Sequence, residues 1–321
     1  MKSTRMIRWF SLVALSPFAL TAQTLQEGLA FYQKAQFAEA KQVFESVLKQ
    51  DGGNAEAHYR LGMIMMSRSF RDEDKAVEHM ERAVELAPQN ADYHYGLGAA
   101  YGIKAQNAGF LKKALLAPKV KREFERTIEL NPAHIDAHVG LAQYYRQAPG
   151  IMGGDTEKAW EEADIVIRLD EVRGRSFKAG LYAADKKMAE AEREIRTLTS
   201  NRPKDGAAWR AAGFFYLRND RPDDAVAAFE KYTDIRPDTV DSYSLLARAY
   251  IQKKDPDNAL AAAKKCLELD RGSISAIWSQ AQAFELKGQK AEARDNFQRL
   301  LSADLSESQR KTIEQKIKEL Q

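Results

Sequence analysis

Between residues 206 and 239, apolar and small side chains recur at three-and-four spacing in two runs. Trp209, Ala212, Gly213 and Tyr216 form the first, and Ala225, Phe229 and Tyr232 the second. That spacing puts each run on one face of a helix. The polar Asn219-Asp220-Arg221-Pro222 between them supplies a turn and a proline suited to the first position of a new helix. The pattern predicts a helical hairpin. Small Gly213 and Ala225 allow close approach of its two helices, and Trp209, Tyr216 and Phe229 fill the space around the crossing. One hairpin leaves an apolar side uncovered, so copies of it must stack.

Such copies occupy most of the chain. First-helix small residues recur at Gly28, Gly62, Gly98, Ala142, Gly180, Gly213, Ala247 and Ala281, with second-helix partners at Ala40, Ala76, Val120, Ala159, Ala191, Ala225, Ala259 and Ala293. Each partner is followed 22 residues later by the next first-helix residue, except for a step of 21 from Ala159 to Gly180. Pro88, Pro132, Pro203 and Pro237 stand at one equivalent corner, where they stop a second helix. Read as a 34-residue unit, Trp209, Gly213, Tyr216, Ala225, Phe229 and Pro237 resemble the tetratricopeptide repeat. The resemblance implies an all-α, right-handed α-solenoid of about eight helix-turn-helix repeats over residues 23–303. Residues 304–321 read as a capping helix: Ser306 and Gln309 form a capping box, and Ile313, Ile317 and Leu320 form one stripe in an otherwise charged segment.

The first residues do not fit this scheme. Lys2, Arg5 and Arg8 precede an apolar run over residues 9–20, and Ala22 is a small residue suited to cleavage before Gln23. Residues 1–22 therefore read as a signal peptide of an exported, periplasmic or secreted protein. A run of this length is too short for a spanning helix of about 20 residues, and no membrane span is expected in the mature chain. The formal charge of +3 is then carried by the leader. The charged residues read as spread along the helices rather than blocked, which leaves no footprint for nucleic acid or anionic lipid.

Candidate chemistry is sparse. Cys266 is the one cysteine and sits where small core residues are expected. His58, His94 and His138 take the repeat position that Trp209 fills, which makes them packing residues rather than metal ligands. The run over residues 149–155 contains three glycines but lacks the strand and the Lys-Ser/Thr of a phosphate loop, so it reads as a turn needing positive φ. No metal, cofactor or catalytic residue is expected.

The irregular hairpins are the second, third and fourth. The usual interval of 12 residues between the paired small positions becomes 14 from Gly62 to Ala76, 22 from Gly98 to Val120 and 17 from Ala142 to Ala159. These read as enlarged turns along one edge. Lys104, Phe110, Leu111, Ile151 and Met152 then form a candidate partner patch, or the apolar members fold back over the ends of their own helices. From the family resemblance, first-helix positions line a groove that holds a peptide or protein partner. That implies Tyr59, Met63, Met66, Tyr95, Gln143, Arg146, Phe177, Arg210, Phe214, Arg248, Trp278 and Gln282 as groove residues. The sequence expectation is a non-catalytic interaction scaffold of the bacterial cell envelope. The alternatives are a component that binds glycan or peptidoglycan through groove aromatics, and an enzyme with a site in the enlarged turns.

Overall fold

A computed structural model describes residues 17–303 and 305–321. The described residues are helical hairpins in succession, falling into two compact units, Met1–Glu162 and Ala163–Gln321. The first contains α1 (Pro17–Gln33), α2 (Phe37–Gln50), α3 (Ala55–Met66), α4 (Glu73–Leu86), α5 (Ala91–Gln106), α6 (Phe110–Leu130) and α7 (Ile135–Gln147). The division falls inside α8 (Thr156–Leu169). The second unit continues with α9 (Glu171–Ala184), α10 (Met188–Asn201), α11 (Gly206–Arg218), α12 (Pro222–Ile235), α13 (Val240–Lys253), α14 (Pro256–Leu269), α15 (Ile274–Leu286), α16 (Lys290–Leu300) and α17 (Glu307–Glu319). Of the expected leader, only the six residues that open α1 are described; the rest lies outside the described residues.

The crossing of each hairpin is made by a residue without bulk lying under a large one. A Cβ built on Gly28 would meet Phe44 at 2.7 Å, on Gly62 Met80 at 2.8 Å, on Gly98 Phe124 at 2.9 Å and on Gly213 Phe229 at 2.4 Å. Phe44, Met80 and Phe229 are completely buried. Five of the first helices, α3, α5, α7, α9 and α11, start at side-chain caps. Asn54, Asn90, His134, Asp170 and Asp205 each accept a hydrogen bond from a backbone N–H of the first turn. At the other end of the chain Ser306 and Gln309 make both bonds of the capping box, and α17 lays Ile313 against the core containing Phe297 and Leu300.

The fifth hairpin corrects the expected register. Gly180 is exposed and has open space where a Cβ would go, whereas Ala179 is fully buried. The crossing residue is therefore Ala179, and its interval to Ala191 is the regular 12 residues. The turn proves it: the left-handed residues Lys186, Asp220, Lys254 and Gly288 are each seven positions beyond Ala179, Gly213, Ala247 and Ala281. What is shortened is the connection before this hairpin. A single residue, Asp170, joins α8 to α9, where other hairpins are joined by four, as at 202–205. Such a tight corner brings main chain against main chain. A Cβ on buried Gly174 would lie 2.3 Å from the Ile167 nitrogen.

The third hairpin also differs from expectation. Its ten extra residues do not enlarge a turn, since only residues 107–109 separate α5 from α6. They lengthen the helices, because Leu111-Lys112-Lys113-Ala114-Leu115-Leu116-Ala117 is a run of strong helix formers that carries through Pro118. In the fourth hairpin, Gly153 has φ +88° and Gly154 lies so close to the Ala148 carbonyl that no side chain fits. The positive-φ turn expected there is present.

Candidate functional site

In the first unit the side chains of α5 and α7 stand apart over α6 and leave a cleft of about 550 Å³. Smallness opens it, because Ala99 and Gly102 on α5 and Gly140 on α7 place no bulk between the helices. Ala117, Val120 and Phe124 of α6 form an apolar floor, and Met152 closes one end. Tyr95, Gln143 and Gln147 supply polar groups on the walls, and Lys113 adds a cation. A cavity of this volume, apolar with a few convergent polar groups, suits a ligand side chain or short segment.

The structure brings together Tyr95, Gln143 and Met152 of the residues expected from sequence. Tyr95 is held between Phe124 and His134, with ring centroids 5.9 and 4.8 Å away. Tyr59, Met63 and Met66 are half-buried against the same core, and burial pushes the Tyr59 hydroxyl up to about 12. Arg146 is half-buried on α7. Arg210, Phe214, Arg248, Trp278 and Gln282 belong to the second unit. Arg210 is tied to Asp241 at 2.8 Å and lies over the Phe214 ring. Phe177 was assigned with Gly180 as the crossing residue, so the corrected register moves it one position, about 100° around α9.

The expected patch separates in the same way. Lys104 is paired with Asp74 at 2.6 Å, and Met152 packs on the α6 core while its carbonyl accepts from the Tyr144 hydroxyl. Phe110, Leu111 and Ile151 do not fold back: they are 62%, 79% and 87% exposed.

The histidines take the expected packing position, and two of them also bind an acid there. His94 Nδ1 lies 2.6 Å from Glu123 and His138 Nδ1 2.6 Å from Glu162. His58 Nδ1 lies 2.9 Å from His79 Nδ1, and Arg175 donates to Glu194 at 2.7 Å. In each case the partner stands three residues beyond the small second-helix residue. That partner, an acid in three of the four hairpins and repeated at one offset, was the signal the sequence carried. The equivalence with Trp209 nevertheless holds. Trp209 Nε1–H donates to the carbonyl six residues upstream, on Pro203, as the second ring nitrogens of His94 and His138 face those of Pro88 and Pro132. Among the described residues no group of three His, Cys, Asp or Glu side chains is placed to hold a metal ion.

The His58–His79 contact has a definite sign with pH. His58 also presents Nε2 to the Gly52 carbonyl, so its Nδ1 accepts the proton that His79 Nδ1 donates. Burial lowers the pKa of both rings, and the neighbouring His58 lowers that of His79 further. A base whose folded pKa lies below its value in the unfolded chain contributes stability above that unfolded value and loses it as pH falls through the folded one. The thermal midpoint of the first unit is expected to drop between pH 7 and 5, and His79→Asn, which keeps a donor, to flatten that drop. An identical pH profile in the variant would count against the shared proton.

A wider hollow of about 810 Å³ lies along residues 167–173 and 202–207. Its polar groups are committed to each other. Glu171 accepts from Asn201 at 2.7 Å, Arg202 at 2.9 Å and Arg175 at 3.0 Å, and these bonds hold its carboxyl down to about 2. Cys266 is fully buried near Ser273, and burial raises its thiol pKa, as a small core residue requires.

Models described as tetratricopeptide repeat match residues 25–68, 55–90, 181–240, 215–274 and 275–304, together more than half of the chain. The chain belongs to the tetratricopeptide repeat family. Superkiller complex protein 3 of Homo sapiens is 26% identical over 287 residues, covering 86% of this chain and 17% of the relative. Tetratricopeptide repeat protein 37 of Xenopus laevis is 26% identical over 293 residues, with 86% and 17% covered. The tetratricopeptide chain thus spans about a sixth of the length of these curated relatives. A tetratricopeptide repeat protein from Parabacteroides merdae shares the fold, with a TM-score of 0.51 at 12% identity over 94% of this chain and 98% of that one. Tetratricopeptide proteins generally serve as protein–protein interaction scaffolds, and their fold is typically non-catalytic.

Proposed function

We propose that this chain is an interaction scaffold that seats an extended segment of a partner protein in the α5–α7 cleft, and that it works in the bacterial envelope after removal of residues 1–22. The observation that carries the reading is the cleft itself: an apolar floor left open by Ala99, Gly102 and Gly140, with Tyr95 and Gln143 on its walls. An apolar partner side chain would enter over Val120 and Phe124, while its backbone bonds to Gln143 and Gln147.

Gly102 provides a clean test, because a Cβ there meets nothing within 4 Å. Gly102→Leu fills the cleft without disturbing the core. A photocrosslinker at exposed Gln143, in protein recovered from the periplasmic fraction with its N-terminus sequenced, is expected to capture a discrete partner. Gly102→Leu should reduce that capture at least tenfold with an unchanged melting temperature. Equal capture by both proteins would sink the cleft as the site, and an intact residue 1 would sink the export.

A further inference from the structure

The α5–α6 hairpin carries a second surface on the side away from the cleft. α6 has 21 residues where its counterparts α4, α8, α10, α12 and α14 have 14, so its first two turns extend about 10 Å beyond a regular second helix. On those turns Leu111, Leu115 and Pro118 follow at intervals of four and three and make one stripe. Ala117, Val120 and Phe124 make the opposite, buried one. Leu111 is 79% and Leu115 72% exposed, and Phe110 adds a third apolar group at the tip.

The charge beside this stripe is predominantly basic. Residues 93–122 contain Lys104, Lys112, Lys113, Lys119, Lys121 and Arg122 and no acid. Two acids approach from α4 and engage this hairpin, leaving Lys119 clear of them. Glu73 accepts from Asn107 at 2.7 Å, and Asp74 pairs with Lys104 at 2.6 Å while also facing Lys112. Lys112 and Lys119, seven apart, flank the apolar stripe on one side, and Lys121 flanks it on the other. Lys119 reaches over the Tyr101 ring, and Lys121 is paired with Glu125 at 3.5 Å.

We propose that this end of the hairpin docks the chain on an anionic lipid surface, with Phe110, Leu111 and Leu115 entering the headgroup boundary and the lysines meeting lipid phosphates. An exposed apolar stripe bordered by lysines is the arrangement of a helix that lies in a membrane interface. A second copy fits the surface poorly, since a two-fold contact would set Lys112 and Lys119 against the same lysines. A bound peptide would need a hollow, and the hollow lies on the other face, between α5 and α7.

The test reads depth at one residue, so that binding through any other part of the chain does not register. Cys266 is buried, so Leu115→Cys in the full chain takes a nitrobenzoxadiazole label at the stripe, and Lys311→Cys on exposed α17 serves as the control. Equimolar phosphatidylglycerol–phosphatidylcholine vesicles are expected to raise and blue-shift the emission at residue 115 and leave residue 311 unchanged. Phosphatidylcholine alone should do neither. Each of Lys112→Gln and Lys119→Gln should raise the half-saturating lipid concentration about fivefold, while Lys113→Gln, on the cleft face, should leave it unchanged. No response at 115, or an equal response at 311, overturns the proposal. So does a response without vesicles that grows with protein concentration, which would assign the stripe to a second copy. A response to an acidic amphipathic peptide but not to vesicles would assign it to a protein.

Discussion

Glu123→Leu is expected to destabilise the first unit by about 3–5 kcal/mol, because it leaves His94 buried with no partner at Nδ1. Both side chains are under a tenth exposed, so water cannot replace the lost carboxylate cheaply. Arg122, which also bonds Glu123, loses its partner as well. The double variant His94→Trp/Glu123→Ala behaves differently. It copies the sixth hairpin, where Trp209 and Ala228 occupy these two positions and Trp209 alone serves the upstream carbonyl. Replacing both partners by apolar groups of matching shape is often close to neutral. Urea unfolding of Glu123→Ala, His94→Trp and this double variant closes a double-mutant cycle, and a coupling of at least 2 kcal/mol is expected. Additive costs would show that the two residues act separately.

Gly174→Ala should be the most damaging glycine substitution in the second unit. The added carbon would fall 2.3 Å from the Ile167 nitrogen, 2.4 Å from its Cα and 2.7 Å from the Val166 carbonyl carbon. These are main-chain atoms, so no rotamer relieves the clash and α8 and α9 must separate, at a cost of about 3 kcal/mol or more. At Gly213 the nearest atoms belong to the Phe229 ring, which has some freedom to shift. Gly180→Ala provides the contrast. Its site is open and helical, so removing a flexible residue should stabilise the unit by about 0.5–1 kcal/mol. Thermal melting of the two variants decides the register of the fifth hairpin, and a destabilising Gly180→Ala would restore Gly180 to the crossing.

These two predictions mark where the sequence was legible and where it was not. The crossings at Gly28, Gly62, Gly98 and Gly213 could be read directly, because a large residue on the second helix demands a small one beneath it. At the fifth hairpin, Ala179 and Gly180 are adjacent and both small, so pattern alone could not choose. The turn residue that does choose, Lys186, gives no sign in sequence of its positive φ. The long third hairpin was misread as an enlarged turn because Pro118 suggests a break, yet the flanking leucines, lysines and alanines hold the helix. The cleft escaped notice for a different reason. It is made by side chains that are missing at Ala99, Gly102 and Gly140, and a pattern of apolar positions records only what is present. The charges do not spread as evenly as expected from sequence, since residues 93–122 hold six cations and no acid and only the helix shows which of these share a face.

Lys186, Asp220, Lys254 and Gly288 follow one another at steps of 34 residues, each in the same left-handed turn. Unequal recombination between any two of these turns therefore adds or removes one whole hairpin and rejoins the chain in phase, with the small residue and its covering neighbour restored on both sides of the joint. This part of the gene can change copy number without a new interface having to be invented. The hairpins from Gly62 to Ala159 step by unequal lengths and carry connections found nowhere else in the described chain, so an exchange among them breaks phase. Variation in repeat number among descendants of this chain should thus gather in its later third, while the cleft and the basic stripe are inherited as a single block.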